Sequence, residues 1–570
     1  MNWTPRPLNA RFHDGRVRLQ NRYTSVSRLP DASRLAYLRG PEVVVAEEQI
    51  RDLWAEAMAA PAFEGEASNN IYIHVPFCKS ICNFCNYERL RPSNPGLLEA
   101  WLQRVILSMQ TMGPAVNVAE WGSVYIGGGT PSTLPAGMLR RLFEALDTHL
   151  NIAPDAHRSF EFDPIVMSGG RADVLAEFGF THFSFGIQTL DPEVNRAHNR
   201  GPQGRDTISK RFDELYSRGL YDVGCDFLLG LAGTTPESIL ADIEWVLSEH
   251  KPLVADVFQI APTPEYVDLH FNGDLETFWA HLAPFEERAV PALAEIGKRL
   301  GYKVNVEGGH SYTLKRDHLP EGFERAPRSR YSYTQLVSEA GRPMHLLGFG
   351  PGARTQIFGY AACRGRAPTD PESDAPFRYA GHKIDLDDEV RTYLVHQLRD
   401  NNHVDRAKFE QIFGVDVTEA IPVAVSAWND AGVAEMTEDK LVLNNENRRQ
   451  RMGTLLWLVP EKHLEYEIAR RQQLNLNADG VEYLASELEV GRGLAGGHQY
   501  GGVDENGRIQ IITPDRLLLR FRVAPGLEEG KPLRLVLEST RLPETKEARA
   551  ALTKAMAQVR GVLRAAAQPR

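Results

Sequence analysis

Tyr72-Ile73-His74-Val75-Pro76-Phe77-Cys78-Lys79-Ser80-Ile81-Cys82-Asn83-Phe84-Cys85 decides the reading of this chain. An apolar run ending at Val75 reads as a strand, and Pro76 ends it. Three cysteines follow at C-x3-C-x2-C spacing on what must be a tight loop. Three thiolates so spaced reach three corners of a cubane iron–sulfur cluster and leave one iron open. A structural zinc site normally recruits a fourth Cys or His. The two other cysteines supply no obvious fourth ligand: Cys225 lies inside an apolar run, as a small buried hydrophobe would, and Cys363 sits far along the chain.

Outward from this loop the chain alternates short β-rich runs with helical patterns. Strand candidates are 71–75, 123–126, 159–162, 182–187, 223–229 and 254–261. Between them, Asn94 can cap a helix over 95–112, with Pro95 in its first turn. Leu139, Leu142, Leu146 and Leu150 form a second helical stripe. Six β–α repeats with near-continuous apolar strands imply an α/β fold with a parallel sheet, open or closing as a partial barrel. Chemistry in such folds gathers at the carboxyl ends of the strands.

The sequence divides into four parts. Residues 1–68 form an N-terminal extension with a helix near 46–60. Residues 69–387 form the core, which loses its rhythm after 262 and carries a long helix near 276–300. Residues 388–478 read as a small, mostly helical, winged-helix-like appendage with one short β pair. Residues 479–570 read as a further small α+β domain: a glycine-rich stretch, strands near 516–523 and 533–538, then a helix.

The 570 residues carry a net charge of −11, which argues against nucleic acid or an anionic membrane as the main partner. No run approaches the roughly 18 apolar residues that span a bilayer. The first residues lack the apolar stretch of an export signal. Three of the five cysteines lie within eight residues. A reducing cytoplasm and one concentrated metal site are the expectation.

The cysteine triplet on the first loop of a (βα) array resembles the radical S-adenosylmethionine (SAM) superfamily. Tyr72 to Cys78 is more narrowly similar to its HemN-like branch, named for oxygen-independent coproporphyrinogen III oxidase, over roughly residues 70–475. The resemblance implies a partial (β/α)6 TIM-like barrel. It implies a [4Fe–4S] cluster on Cys78, Cys82 and Cys85, whose open iron binds the amino and carboxylate groups of SAM. An electron from the cluster then cleaves SAM to a 5′-deoxyadenosyl radical.

Further contacts follow in order along the strands. Phe84 would pack against the adenine. Gly127, Gly128, Gly129 and Thr130 end the second strand and would receive the methionine amino group, where glycines permit close approach or simply a tight turn. Glu161, leaving an apolar strand, would contact SAM and, with Tyr72, is a candidate catalytic residue; Tyr72 could equally pack beside the cluster. Gln188 and Asp226 would meet the ribose hydroxyls and Arg200 the SAM carboxylate, which suits a guanidinium fork. Ala261 would offer backbone to the adenine. His74 and His198 read as structural hydrogen-bonders.

The match departs at one place. Coproporphyrinogen oxidases of this branch carry a fourth cysteine two residues after the third, whereas Cys85 is followed here by Asn86 and Tyr87. An aromatic there is similar to haem-degrading members and to methylases and cyclopropanases, which hold two SAM molecules. Gly348 to Ala353, with Gly350 at its centre, resembles the loop near the second SAM. The expectation is a methyltransferase, or a related one-carbon transfer or cyclopropanation enzyme, using two SAM molecules on an sp2 carbon of a small-molecule or carrier-bound substrate, reduced by a flavodoxin or ferredoxin. The alternatives are tetrapyrrole chemistry (propionate decarboxylation or haem ring opening) and haem binding without turnover. The H-N-x-x-Y-W motif of the haem-chaperone branch is absent.

Overall fold

The computed structural model describes residues 43–59, 68–85, 87–92, 94–261, 264–272, 275–307, 311–316, 344–367, 375–430, 432–444, 454–455, 458, 494–503, 508–514, 518–524, 534–537, 545 and 550–559. Asn86 lies outside them, as do most of the expected N-terminal extension and most of 445–493.

All six expected strands form, and most extend further than the sequence showed. They are β2 (Ser68–Val75), β3 (Trp121–Gly128), β4 (Ile152–Phe162), β5 (His182–Gln188), β6 (Asp222–Leu229) and β7 (Val254–Gln259). They lie side by side in sequence order, all parallel. Parallel neighbours need a crossover, and helices supply it: α2 (Pro95–Val116), α3 (Ala136–His149), α4 (Gly169–Glu177), α5 (Pro192–Ala197), α6 (Arg205–Tyr216) and α7 (Pro236–Glu249).

The sheet continues on both sides. Next to β7 run β9 (Ser311–Arg316) and then β8 (Tyr302–Glu307), antiparallel to each other. Next to β2 runs β10 (Met344–Phe349), again parallel, followed by β11 (Arg354–Ile357), β12 (Ala361–Arg366) and β13 (Arg378–Lys383). The far edge is β1 (Val43–Ala46), paired with β13 and leading into α1 (Glu47–Ala59). The end of the segment read as an extension thus supplies an edge strand of the core sheet. Among the described residues the thirteen strands form one open sheet with no closing pair.

Alternation sorts the side chains by face. On β2, Ile71, Ile73 and Val75 share one face and Asn70, Tyr72 and His74 the other. Register carries the second set across the sheet: Tyr72 sits opposite Tyr125, Tyr125 opposite Ser159, Ser159 opposite His182 and His182 opposite Asp222. A second row runs Glu161–Ser184–Gly224 and a third Gly186–Asp226–Asp256–Thr313. One face is therefore apolar and packed, while the other is small, polar and ionisable.

Asn94 caps α2, its Oδ1 accepting from Leu97 N at 3.2 Å. Inside α2, Gly113 has no backbone conformation that requires glycine. A Cβ there would stand 2.5 Å from the His149 carbonyl at the end of α3, so glycine sets how closely the two helices approach. The long helix expected at 276–300 is two helices, Leu275–Pro284 and Val290–Leu300, joined by five π-helical residues, Phe285–Ala289.

The helical appendage contains Leu386–Asn401, Arg406–Phe413, Val417–Ala420 and Pro422–Asp430. Its sheet has three strands rather than one pair: β14 (His403–Asp405), β15 (Ala434–Met436) and β16 (Lys440–Leu443), with β16 central. The chain clusters into two compact units, one comprising 42–261 and 279–451, the other including 262–278 and 452–570. In the second, β17 (Gln499–Val503), β18 (Ile509–Ile512), β19 (Leu518–Ala524) and β20 (Arg534–Leu537) form an antiparallel meander, and 550–559 is helical. Residues 499–503 of the glycine-rich stretch form β17, with a register shift between Tyr500 and Gly502. Among the described residues no helix is long and apolar enough to cross a membrane.

Alanine is the better helix former, by about 1 kcal/mol. Gly113→Ala is nevertheless expected to destabilise by about 1–3 kcal/mol, because overpacking against a backbone carbonyl outweighs propensity. A lowered guanidinium midpoint checks this; an unchanged or raised one contradicts it.

Candidate active site

Of the site residues expected on these strands, Gly127, Gly128, Glu161 and Gln188 lie at the carboxyl ends, while Tyr72 and Asp226 lie midway along β2 and β6. The cysteine loop leaves β2 and is pinned at its base, where Cys78 N donates to Leu90 O (3.0 Å) and Leu90 N to Pro76 O (2.7 Å). Its far side is tied to the α5 turn: Asn199 Nδ2 donates to Ile81 O (2.7 Å), Asn83 Nδ2 to Ala197 O (3.3 Å) and Asn83 N to His198 O (3.3 Å). Asn199 adopts φ 53°, a left-handed conformation that Asn tolerates better than most residues. Arg89 closes the loop from within, donating to Cys82 O (3.3 Å) and Tyr87 O (2.7 Å).

Cys78 is buried, while Cys82 and Cys85 are partly exposed. Burial pushes the Cys78 thiol up to about 11 and raises Cys82 as well. The Thr130 hydroxyl lies 3.5 Å from Cys78 Sγ and Arg200 Nη1 3.9 Å from Cys82 Sγ, and both contacts oppose the rise. Such thiols stay protonated until metal displaces the proton. A Cβ on Gly129 would stand 3.0 Å from Cys78 Sγ and 2.9 Å from the Pro76 backbone. That glycine lets the β3 loop come down onto the cysteine loop.

Glu161 projects from β4 beneath the glycines. Gly128 N donates to its Oε2 (3.2 Å) and the Tyr125 hydroxyl donates to its Oε1. Burial raises its pKa, and those two hydrogen bonds partly offset the rise. A Cβ on Gly127 would come within 2.7 Å of the carboxylate. Sequence reading missed Tyr125; its signal was its place two residues before Gly127, on the same strand face.

Arg200, just beyond α5, points back over β5. Its Nη2 donates to Gly186 O (2.5 Å) and stands 3.2 Å from Asp163 Oδ2, while Nε is buried without a hydrogen-bond partner. Gln188 ends β5 at φ 65°, beside a register shift against β6. A non-glycine residue in that region is strained, and such strain concentrates at ligand sites. On β6, Asp226 lies within 3.4 Å of the Ser184 hydroxyl and opposite Asp256. Phe84 lies 6.0 Å from the His198 ring. Ala261 is exposed two residues beyond β7.

Gly350 stands apart from this set. It is buried at φ 97°, and a Cβ there would stand 2.5 Å from the His74 carbonyl. A Cβ on Gly352 would stand 3.1 Å from a Glu88 carboxylate oxygen and 3.2 Å from His74 Nε2. Close packing on the end of β2 accounts for both glycines without a ligand. Tyr72 is also buried, its hydroxyl 3.0 Å from His74 Nδ1, and His74 Nε2 is 2.9 Å from Glu88 O. Burial lowers the pKa of His74 and of His198, whose Nδ1 is 2.8 Å from Val194 O. Both histidines are tied into structure, as expected.

Residues 72–246 match the model of the radical SAM superfamily. Anaerobilin synthase of Escherichia coli O157:H7 is 30% identical over 71% of this chain and 86% of its own. The chain belongs to the radical SAM superfamily, in its HemN-like branch. The haem chaperone HemW of Bacillus subtilis is 23% identical, covering 66% of this chain and 95% of that protein. Oxygen-independent coproporphyrinogen III oxidase of Paracoccus denitrificans is 29% identical over 56% and 73%. Coproporphyrinogen III oxidase (HemN) from Escherichia coli shares the fold, with a TM-score of 0.56 at 20% identity over 71% of this chain and 92% of that one.

Membership implies a [4Fe–4S] cluster and SAM, and the residues present fit both. Three thiols on one pinned loop, glycine backbone against the first of them, and an Arg200 guanidinium that meets the second through Nη1 and keeps Nε unpartnered are suitable donors. A carboxylate in Glu161's setting ionises at a higher pH than usual, and only the ionised form attracts an ammonium group. SAM affinity is expected to weaken as pH falls through that raised pKa, and Glu161→Gln should lose this dependence. Equilibrium dialysis of the cluster-loaded protein checks both; a Glu161→Gln profile that still falls like the wild type contradicts the contact.

Proposed function

We propose that this chain cleaves SAM reductively and uses the resulting radical on a tetrapyrrole, in a haem ring-opening type of reaction. What supports the substrate class is the likeness to anaerobilin synthase across 86% of that protein, together with relatives named for coproporphyrinogen and haem. Against decarboxylation stands Tyr87, 64% exposed, where those oxidases carry a further cysteine.

When bound, the cluster supplies the electron that splits the SAM sulfonium into methionine and a 5′-deoxyadenosyl radical. The chain's own residues prepare that step. Cys78, Cys82 and Cys85 are the residues that would hold the cluster by three thiolates. Arg200, already braced by Asp163 and the Gly186 carbonyl, presents Nε to the methionine carboxylate. Glu161, aimed by Tyr125 and the Gly128 amide, receives the ammonium. Asp226 and Gln188 orient the ribose, and Phe84 packs on the adenine. Held by these residues at both ends, SAM would lose little freedom before it is cleaved.

A second reading is one-carbon transfer from a second SAM to an sp2 carbon. The exposed aromatic at Tyr87 favours it; Gly350 does not, since packing on His74 explains that glycine. The reduced, reconstituted protein is to be incubated anaerobically with SAM and haem, or with SAM and coproporphyrinogen, and the products counted. Deoxyadenosine with loss of the haem Soret band is expected, and neither should form with Cys82→Ala. Carbon dioxide from coproporphyrinogen overturns the proposal in favour of decarboxylation, and haem binding without deoxyadenosine overturns it in favour of a chaperone. S-adenosylhomocysteine with haem untouched moves the reading to methyl transfer on another substrate.

A further inference from the structure

Gln188 holds a strained position on the active-site face, and the groups that keep it there lie outside the expected SAM contacts. Its φ of 65° falls in the left-handed region. Thr189 N donates across it to Ile187 O at 2.8 Å, closing a three-residue turn. A γ-turn of positive φ is rare and unfavourable for a residue with a side chain. Strand pairing shows the same distortion: Gly186 stands opposite Asp226 but Gln188 opposite Phe227, so β5 carries one extra residue here. Such a bulge re-aims a side chain beside an active site. A Cβ on Gly186 would stand 2.5 Å from Gln188 Nε2 and 3.4 Å from Arg200 Nη2. The expected ribose and carboxylate contacts thus meet above one glycine.

Strain of this kind persists only where the surroundings over-determine it, and three side chains from separate elements do so here. Gln203, buried just before α6, donates from Nε2 to Ile187 O on one side of the turn. Asn195, buried on α5, donates from Nδ2 to Thr189 O at 2.9 Å on the other. Asp242, half-buried on α7, takes two donors with one oxygen: its Oδ2 accepts from the Thr189 hydroxyl at 2.9 Å and from Leu190 N at 2.8 Å. Burial raises the pKa of Asp242, and these two bonds oppose the rise. The Asn195 carbonyl also accepts from Arg200 N at 2.9 Å. The turn that aims Gln188 and the segment that delivers Arg200 therefore share a support.

We propose that Asp242 is a positioning residue for SAM, on the reading that Gln188 meets the ribose: acting through the turn rather than on the ligand, it holds the Gln188 amide toward the ribose hydroxyls. Among the three supports, Asp242 grips the turn through a side-chain hydroxyl and a backbone amide at once. It does so from a helix that offers no other expected SAM contact. Without that oxygen the turn is free to relax toward negative φ, and the Gln188 amide leaves the face it shares with Arg200 and Asp226.

The test is equilibrium dialysis of the full-length, cluster-loaded protein with SAM and with its 2′-deoxy and 3′-deoxy forms. Gln188→Ala should reduce the preference for SAM over one of the deoxy forms about fivefold, the worth of one hydrogen bond. Asp242→Ala should reduce the same preference by about the same factor while keeping about four irons per chain. Added to Gln188→Ala, it should reduce that preference no further. Asp242→Asn keeps an oxygen before both donors and should retain the wild-type preference; a loss there equal to that in Asp242→Ala overturns the shared oxygen as the anchor. A preference unchanged in Asp242→Ala but reduced in Gln188→Ala overturns the positioning role and leaves the ribose contact standing. One unchanged in Gln188→Ala overturns both. Affinity lost equally for all three ligands in Asp242→Ala overturns the proposal as mere damage to the fold. Should Asp242→Ala lose its iron, Thr189→Val, which removes the hydroxyl from the same oxygen, decides by the same criterion.

Discussion

Arg200 is the group on which the active-site geometry turns. It bears a buried positive charge whose neighbours come from three places: Asp163 beyond β4, the Gly186 carbonyl on β5, and Cys82 on the loop after β2. Removing one partner of a buried ion pair typically costs about 3–5 kcal/mol, because the other charge is left uncompensated. Arg200 can therefore hardly leave without disturbing all three. The guanidinium is also incompletely satisfied, its Nε having no partner. An always-charged donor held rigidly yet one hydrogen bond short is prepared for an anion, and the little freedom it loses on binding is an advantage in affinity.

The same economy governs the glycines. Gly127, Gly129 and Gly350 all sit where a Cβ would meet the Glu161 carboxylate, the Cys78 sulfur or the His74 carbonyl. Two of these approaches bring backbone to groups expected to touch the cluster or SAM. The third brings β10 against β2 and secures the strand from which the cysteine loop springs. Glycine thus appears here for two physical reasons that look alike in sequence. Spacing cannot tell close packing from ligand access, and Gly350, read as part of a SAM loop, packs against the His74 carbonyl.

Legibility followed the same division. The six parallel strands and the Asn94-capped helix were readable because apolar periodicity and capping chemistry are local. Arg200 was placed by resemblance, but its bracing by Asp163 joins residues far apart in sequence and needed the fold. Tyr125 was invisible for a related reason: its hydroxyl matters only because register brings Glu161 beside it. The helix at 276–300 hid a π-helical segment, since a π turn differs from an α turn in its hydrogen-bond pairing and carries no residue signature of its own. The three-stranded sheet of the appendage was read as a pair because β14 is only three residues long, below the length at which alternation is recognisable.

Register also explains how one sheet face can carry two kinds of polar chemistry. Where the apolar face packs, the opposite side chains are free to be small or ionisable, and parallel pairing keeps like heights together. At the carboxyl ends, loops bring additional donors: the Gly128 amide reaches the Glu161 carboxylate at 3.2 Å and Arg200 reaches Asp163 at 3.2 Å. Lower on the same face, His182 Nδ1 lies 2.9 Å from Asp222 Oδ1 and the Ser159 hydroxyl 3.1 Å from His157 Nδ1, so buried ionisable groups there are satisfied by neighbours that parallel register sets at the same height.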